Sequence, residues 1–500
     1  MDQIGAFFTT WFDLKLLAIV GVGTFAGIYV GAIPGLSVTM AVSILISFTF
    51  GWDVYPALAL MIGIFMGGVY GGARTAILLN IPGGPSAIAT ALDGYPLAQK
   101  GEAGEAIGLS TVMSFIGAMV GIVVLMVGAP MLSDFALTFQ PRDFMLLGLL
   151  GLLLVGSLSG ESMVKGVFAG AFGLLIGTVG LDPLTVQERF TFGFPALWTG
   201  ISFIAVMIGL FGISEALAQM HHIDKAAVRQ TLSRIVPPWS AIRKYFGLSM
   251  QCSGIGVVVG ALPGTGGDIA ALMAYDHAVR VTKNPEVPFG QGAREGLIAP
   301  ETANSAAVGG AFIPMLTLGI PGDAVTAIMI GALFIHGLNP GPMLMLQQPD
   351  MFWVISGALV LSAFFMLIFG LTGIRFFVKV VELPRAILFP LIVLLSIVGT
   401  YALQNSLTDV YWMLAFGVLG YFMKMYGYQL GPIILGVILS RLIDENWRRA
   451  ILSEREELGT FFAGMLTSPL SLVLFLSVVA IFATNTPAYV RWRNKGRKQA

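Results

Sequence analysis

Apolar stretches long enough to cross a bilayer follow one another along almost the whole chain. A transmembrane helix needs about 20 mainly apolar residues. Candidate spans fall near 15–34, 56–79, 106–128, 144–160, 163–180, 196–218, 246–262, 303–320, 352–374, 385–403, 409–423, 430–443 and 465–484. Shorter apolar pieces at 36–50, 266–279 and 322–336 suit re-entrant hairpins or half-helices. The runs are continuous, not alternating, which excludes an outer-membrane β-barrel. The expected fold is all-α: a polytopic membrane protein with about twelve transmembrane segments, several of them broken.

Composition removes the other classes. Of 500 residues, 56% are apolar and 11% are Asp, Glu, Lys or Arg, against about 25% charged residues in soluble proteins. Lys and Arg balance Asp and Glu at 27 each, so there is no basic face for nucleic acid. Cys252 is the sole cysteine, which excludes a disulfide framework and a cysteine metal site. No Gly-rich nucleotide loop, metal-binding His pair or nucleophile elbow appears. Hence no catalytic residue, no cofactor and no transition metal is expected, and transport would draw on an ion gradient. The start, MDQIGAFFTTWFDLK, lacks the pattern of a cleavable signal peptide, so the first apolar run is expected to insert as a permanent span.

Positive charge in short loops sets orientation. Segment 219–248 carries Lys225, Arg229, Arg234, Arg243 and Lys244; the C-terminal tail carries Arg491, Arg493, Lys495, Arg497 and Lys498; Arg375, Lys379 and Arg385 form a third cluster. All three are expected on the cytoplasmic side, and 181–195 outside.

A repeat is built on Pro-Gly breaks. Gly31-Ala32-Ile33-Pro34-Gly35 recurs as Gly260-Ala261-Leu262-Pro263-Gly264, an offset of 229 residues from Pro34 to Pro263. Tyr70-Gly71-Gly72-Ala73 with Asn80-Ile81-Pro82-Gly83 recurs as Val308-Gly309-Gly310-Ala311 with Gly319-Ile320-Pro321-Gly322, an offset of 239 from Pro82 to Pro321. The expected organisation is therefore a first repeat over 1–218, a basic linker over 219–248 and a second repeat over 249–500. An inverted arrangement is expected, with a parallel one as the alternative. Proline removes an N–H and clashes with the preceding turn, so Pro-Gly inside an apolar run stops a helix in mid-membrane. The freed backbone groups cannot face lipid; freed N–H groups attract anions and freed carbonyls attract cations. Paired interruptions at matching places in two halves point to the midplane site of a secondary transporter. A packing kink without function is the bland alternative.

Side chains around the breaks fit two tasks. Gly35 and Gly264 carbonyls, with Ser37, Thr39, Thr265 and Asp268, make a hard-oxygen set for Na⁺; a hydrogen-bonded structural Asp is the alternative for Asp268. The N–H groups at Gly83 and Gly322, with Asn80, Ser86, Asn304 and Thr326, suit carboxylate, although Ser and Thr also cap helix ends. Arg74 adds a planar fork for an anion; a salt bridge to Asp93 or a snorkelling end is the alternative. Glu301 stands out in the polar run Ala299–Ser305. His336 and Glu215 read as structural and interfacial.

This train of motifs resembles the large membrane subunit of the bacterial tripartite tricarboxylate transporters. The matching pieces are Gly31–Gly35, Tyr70–Gly83, Ala91–Pro96, Gly260–Gly267, Arg294–Asn304, Leu318–Gly322 and His336–Pro342. The resemblance implies a multi-pass permease of the bacterial inner membrane. It implies a small integral-membrane subunit and a periplasmic solute-binding protein as partners, and cation-coupled symport, with sodium expected and H⁺ as the alternative, of citrate or another di- or tricarboxylate or aromatic acid. Likeness to other binding-protein-dependent carboxylate transporters implies an elevator motion. An anion channel and an intramembrane enzyme are the alternatives.

Overall fold

The computed structural model describes residues 3–33, 36–158, 163–182, 185–219, 235–373, 385–453 and 458–484. Gly35, Lys225, Arg229, Arg234, Arg375, Lys379 and the tail cluster Arg491–Lys498 therefore lie outside the described residues.

The protein is helical almost throughout, and helices occupy the expected apolar stretches. Two compact units form, 1–133 with 207–421 and 134–206 with 422–500. In the first unit α1 (Gln3–Phe12), α2 (Leu14–Ala32), α3 (Val38–Thr49), α4 (Val54–Leu79) and α5 (Ala87–Leu97) lead through a π-turn into α6 (Ala103–Ala136). Then come α7 (Pro141–Leu158), α8 (Met163–Gly177), α9 (Phe203–Met207) and α10 (Ser214–Gln219). Next are α11 (Trp239–Ala261), α12 (Gly266–Val281), α13 (Arg294–Leu318), α14 (Ala324–Ile335), α15 (Pro342–Gln347) and α16 (Pro349–Thr372). The chain ends in α17 (Arg385–Gln404), α18 (Leu407–Met425), α19 (Gly431–Ser453), α20 (Leu458–Thr467) and α21 (Pro469–Thr484).

Among the described residues four helical stretches are long and apolar enough to cross a membrane: Leu14–Ala32, Val54–Leu79, Ala87–Ala136 and Pro349–Thr372. Two expected spans differ in form. The stretch 465–484 bends by 98° between Gly459–Thr467 and Pro469–Ala483, because Pro469 cannot donate to the preceding turn. The stretch 196–218 opens with a short 3₁₀ turn, Pro195–Leu197, and becomes helical only from Phe203, with a π-turn at Ile208–Ile213.

Caps fix several helix starts. Asp13 accepts from the N–H groups of Lys15 and Leu16 ahead of α2, and Ser37 accepts from Met40 N–H ahead of α3. Such caps satisfy donors that no preceding turn can take. In the second unit Gly173 meets the Ile433 backbone of α19, and Gly436 meets that of Gly170. There Arg189 and Arg448 pair with Asp182 and Asp444, beside a two-residue antiparallel pairing of Gly180–Leu181 with Glu188–Arg189.

Candidate functional site

The site grows out of proline-imposed stops. Ile33 and Leu262 precede Pro34 and Pro263, and both leave their helices extended, at φ/ψ −76°/115° and −79°/126°. A following proline disfavours the α region. At the other two breaks Asn80 (φ 54°) and Gly319 (φ 70°) turn left-handed, and their N–H groups return to the Thr75 and Pro314 carbonyls. Asparagine and glycine are the residues that visit this conformation at least cost. The next N–H in each case, Ile81 and Ile320, reaches the same carbonyl at 3.3 and 3.2 Å.

Helix pairs hold these stops in place by backbone contact. Gly27 and Gly31 of α2 face the carbonyls of Ile64 and Gly68 on α4; Gly256 and Gly260 of α11 face those of Ala303 and Ala307 on α13. In return Gly71 faces Ile28 O and Gly310 faces Val257 O. A Cβ at any of these six glycines would fall 2.0 to 2.5 Å from the oxygen. The break glycines continue the pattern: Gly83 rests on the Gly31 carbonyl and Gly322 on that of Gly260. Each contact in the first set reappears in the second at offsets of 229 and 239.

The starts of the short helices after the breaks come together. Ser86 N–H, before α5, donates to Asp268 Oδ1 in the first turn of α12 at 3.0 Å. A Cβ on Gly266 would touch Asp323 Cβ at 3.1 Å, joining α12 to the start of α14. Asn304 of α13 lies so close to Gly267 that a Cβ there would fall 2.1 Å from its Oδ1, and its Nδ2 donates to Val69 O at 3.2 Å. Val38, at the start of α3, packs on the neighbouring Gly68. Asp323 and Thr326 close a capping box: Thr326 N–H donates to Asp323 Oδ1 (2.7 Å), and Asp323 N–H to Thr326 Oγ1 (2.9 Å).

Apart from Gly35, which lies outside the described residues, each sequence-predicted residue has a definite place. Ser86, Asp268, Asn304, Gly322 and Thr326 belong to this junction. Thr265 is buried and its hydroxyl donates to Leu262 O and Val259 O at the end of α11. Gly264 sits at φ 73°, in the turn before α12. Ser37 caps α3 and Thr39 follows on its first turn. Asn80 is exposed and, with Pro82, Ile88, Ala91, Leu92, Tyr95 and Pro96, lines an open cleft of about 370 Å³ along α5. Asp268 is exposed, while Asn304 is 5% and Thr326 0% exposed. Among the described residues no Lys or Arg side chain hydrogen-bonds to Ser86, Asp268, Asn304, Asp323 or Thr326.

Arg74 is 1% exposed and engages α16. Its Nη2 donates to the carbonyls of Gly370 (2.7 Å) and Phe369 (3.1 Å), and Nε to Tyr70 Oη (3.3 Å). A cation at the last carbonyls of a helix is favoured by the helix dipole. Asp93 takes other partners: Oδ1 accepts from the N–H groups of Gly290, Gly292 and Ala293, and Oδ2 from Tyr275 Oη. It thereby clamps α5 to the entrance of α13. Sequence reasoning did not assign a role to Glu301, whose carboxyl receives the hydroxyls of Thr90, Ser110 and Ser114. The available signal was an acid inside a run otherwise made of Ala, Pro and small polar residues.

Comparison with known proteins bears on what this junction does. Residues 17–435 match the Tripartite tricarboxylate transporter TctA family. An uncharacterized 52.8 kDa protein from the TAR-I ttuC′ 3′ region of Agrobacterium vitis is 36% identical over 461 residues, 92% of this chain and 91% of that protein. An uncharacterized protein from the TAR-II ttuC′ 3′ region of the same organism is 36% identical over 234 residues, 47% of this chain and 95% of that protein. No solved structure matches.

Proposed function

This chain belongs to the tripartite tricarboxylate transporter TctA family, and on that premise we propose that it is the large permease subunit of an inner-membrane symporter importing an organic carboxylate. It is a membrane-embedded transporter component and not an enzyme. In this reading a small integral-membrane subunit and a periplasmic solute-binding protein complete the tripartite system. The substrate is citrate or a related di- or tricarboxylate or aromatic acid.

The observation that carries the reading is the contact of Ser86 N–H with Asp268 Oδ1. It joins a break of one repeat, 1–218, to a break of the other, 249–500, across the basic linker 219–248. Matching contacts at offsets of 229 and 239 support the repeat, and an inverted pair of repeats moving as an elevator accounts for alternating access. Freed N–H groups at Gly83 and Gly322, with Asn80, Ser86, Asn304 and Thr326, hold the carboxylates. Arg74 positions α4 against α16 beside them.

Charge supplies the case for a coupling ion. Asp268 and Asp323 stand at two of the meeting helix starts, and among the described residues no basic side chain bonds to them there. An anionic substrate entering alone would meet like charge. Na⁺ held by Asp268, Thr265, Ser37, Thr39 and the carbonyls of Gly35 and Gly264 removes that repulsion, so ion and acid bind together. The test is uptake of labelled acid into proteoliposomes with both partners present. Accumulation driven by an imposed Na⁺ gradient is expected, and Asp268→Asn should weaken the Na⁺ dependence at least tenfold, the loss of about 1.4 kcal/mol of ion binding. No accumulation of any acid the binding protein recognises refutes the transporter reading; an unchanged Na⁺ dependence in Asp268→Asn removes this ion site.

A further inference from the structure

Glu301 sits in the middle of α13 and is 2% exposed. Its Oε1 accepts from the Thr90 hydroxyl of α5; Oε2 accepts from Ser110 (3.1 Å) and Ser114 (3.3 Å) of α6. Thr90, Ser110 and Ser114 are themselves buried. A carboxylate in such a place is costly without a countercharge, and among the described residues no charged side chain bonds to it. The charged and titratable groups on the surrounding helices are engaged elsewhere or lie turns away. Asp93 of α5 is held by loop 290–293 and Tyr275, and Glu102 and Glu105 pair with Arg294. Arg74 and Tyr70 of α4 serve α16 and Thr111, while Tyr245 of α11 packs with Leu109, Met113 and Ile298. Asp268 of α12 meets Ser86, and Glu295 lies nearly two turns up α13.

Hydroxyls suit both charge states of the group they surround. Each is a donor and an acceptor, so three rotors can point at a carboxylate or turn one oxygen to accept from a carboxylic acid. The carboxyl oxygens are already in direct hydrogen-bond contact with these hydroxyls. A metal ion would need them drawn apart around it, whereas a proton needs no added space. Two helices also tie this cradle to the junction at one-turn spacing: Thr90 lies four residues after Ser86 on α5, and Glu301 three before Asn304 on α13. Residues so spaced share a helix face. The counterpart of Glu301 at the repeat offset of 239 is Ile62, also buried, so the cradle exists once.

We propose that Glu301 carries one proton per transport cycle: the carboxylate takes a proton to become the acid on one side, and returns it on the other with no electron transferred. This rests on the transporter reading and adds a proton to the cation held at the breaks. The test uses the three-component system in proteoliposomes at constant Na⁺ gradient and internal pH, with external pH varied. In the parent, the apparent KM for the acid should change by up to about tenfold per pH unit beyond the titration of the substrate itself. Glu301→Gln should flatten that change to less than about twofold, because an amide exchanges no proton. Superimposable pH profiles for parent and variant, or a parent with no pH dependence beyond the substrate's own, overturn the inference while leaving transport standing. A parent that moves no acid at all refutes the transporter reading instead. Should Glu301→Gln fail to fold, infrared difference spectra of the parent after a pH step are expected to show a carboxylic-acid band that Ser110→Ala shifts. Absence of that band, or a band indifferent to Ser110→Ala, likewise overturns it.

Discussion

Gly260→Ala isolates what the backbone contact between α11 and α13 contributes. The new Cβ would fall 2.4 Å from the Ala307 carbonyl oxygen, 2.8 Å from its Cα and 3.0 Å from its carbonyl carbon. Ordinary Cβ contacts begin near 3.4 Å, so the helices must part by about 1 Å. All three obstructing atoms are backbone, and no side chain can rotate away. Overpacking of this kind costs about 1–3 kcal/mol. Parting also loses the van der Waals contact that replaces the hydrophobic effect between helices in lipid. The smaller backbone entropy of alanine returns roughly 0.5–1 kcal/mol. The net loss is about 1–2 kcal/mol. Gly254→Ala on the same helix supplies the control: a Cβ there meets nothing within 4 Å, so only the entropy gain remains. Denaturant titration of the purified protein in one detergent, followed by intrinsic fluorescence, should separate the two variants by about 2 kcal/mol. Equal stabilities for Gly254→Ala and Gly260→Ala would refute the reasoning.

Three other outcomes are expected. Asp93→Ala strips one acceptor from three backbone N–H groups and from Tyr275; the loss should be about 3 kcal/mol or more, read as a lowered denaturation midpoint and faster amide exchange at 290–293. Arg74→Ala leaves the Phe369 and Gly370 carbonyls without this donor and should destabilise by roughly 2–4 kcal/mol. Arg74→Lys should recover only part of that, since an ammonium lacks the fork, as thermal unfolding in detergent would measure. Glu286, in the loop between α12 and α13, accepts a hydrogen bond from Lys244 of α11, which holds its carboxyl below the usual value of 4.5. A depressed folded value means that the contribution is present above the ordinary value and is lost as pH falls through the folded one. The Glu286 carboxyl, followed by NMR, should therefore titrate below 4.5, and Lys244→Ala should move it back toward that value.

The breaks were legible because Pro34, Pro82, Pro263 and Pro321 act on the residues beside them. A proline disfavours the helical conformation of the residue before it, which accounts for Ile33 and Leu262; Ala299 and Ile313 nevertheless stay helical before Pro300 and Pro314, so the Pro-Gly pair and not proline alone marked the breaks. At Asn80, two residues before Pro82, the helix ends instead in a left-handed turn. The clamp at Asp93 was hidden, since its acceptor meets N–H groups about 200 positions later, and nothing local encodes that meeting. Arg74 illustrates the same limit. Its charge inside an apolar helix announced polar partners; Tyr70 lies one turn away, but the Phe369 and Gly370 carbonyls of α16 lie some 295 residues onward, where no side-chain identity could signal them. Glu301 was visible as an oddity; its cradle needs Thr90, Ser110 and Ser114 from two other helices, and three unremarkable hydroxyls carry no pattern.

The glycine contacts of α2 with α4 and of α11 with α13 have a mechanical consequence. Each carbonyl of one helix sits in a notch where its neighbour lacks a side chain, at successive turns. Sliding either helix lengthwise would carry those carbonyls out of their notches and into the bulky side chains between them. Register is thus locked like teeth in a rack. The pairs can pivot or travel as solid bars but cannot creep, so conformational change must be delivered at the ends of the bars, where the Pro-Gly turns supply the joints.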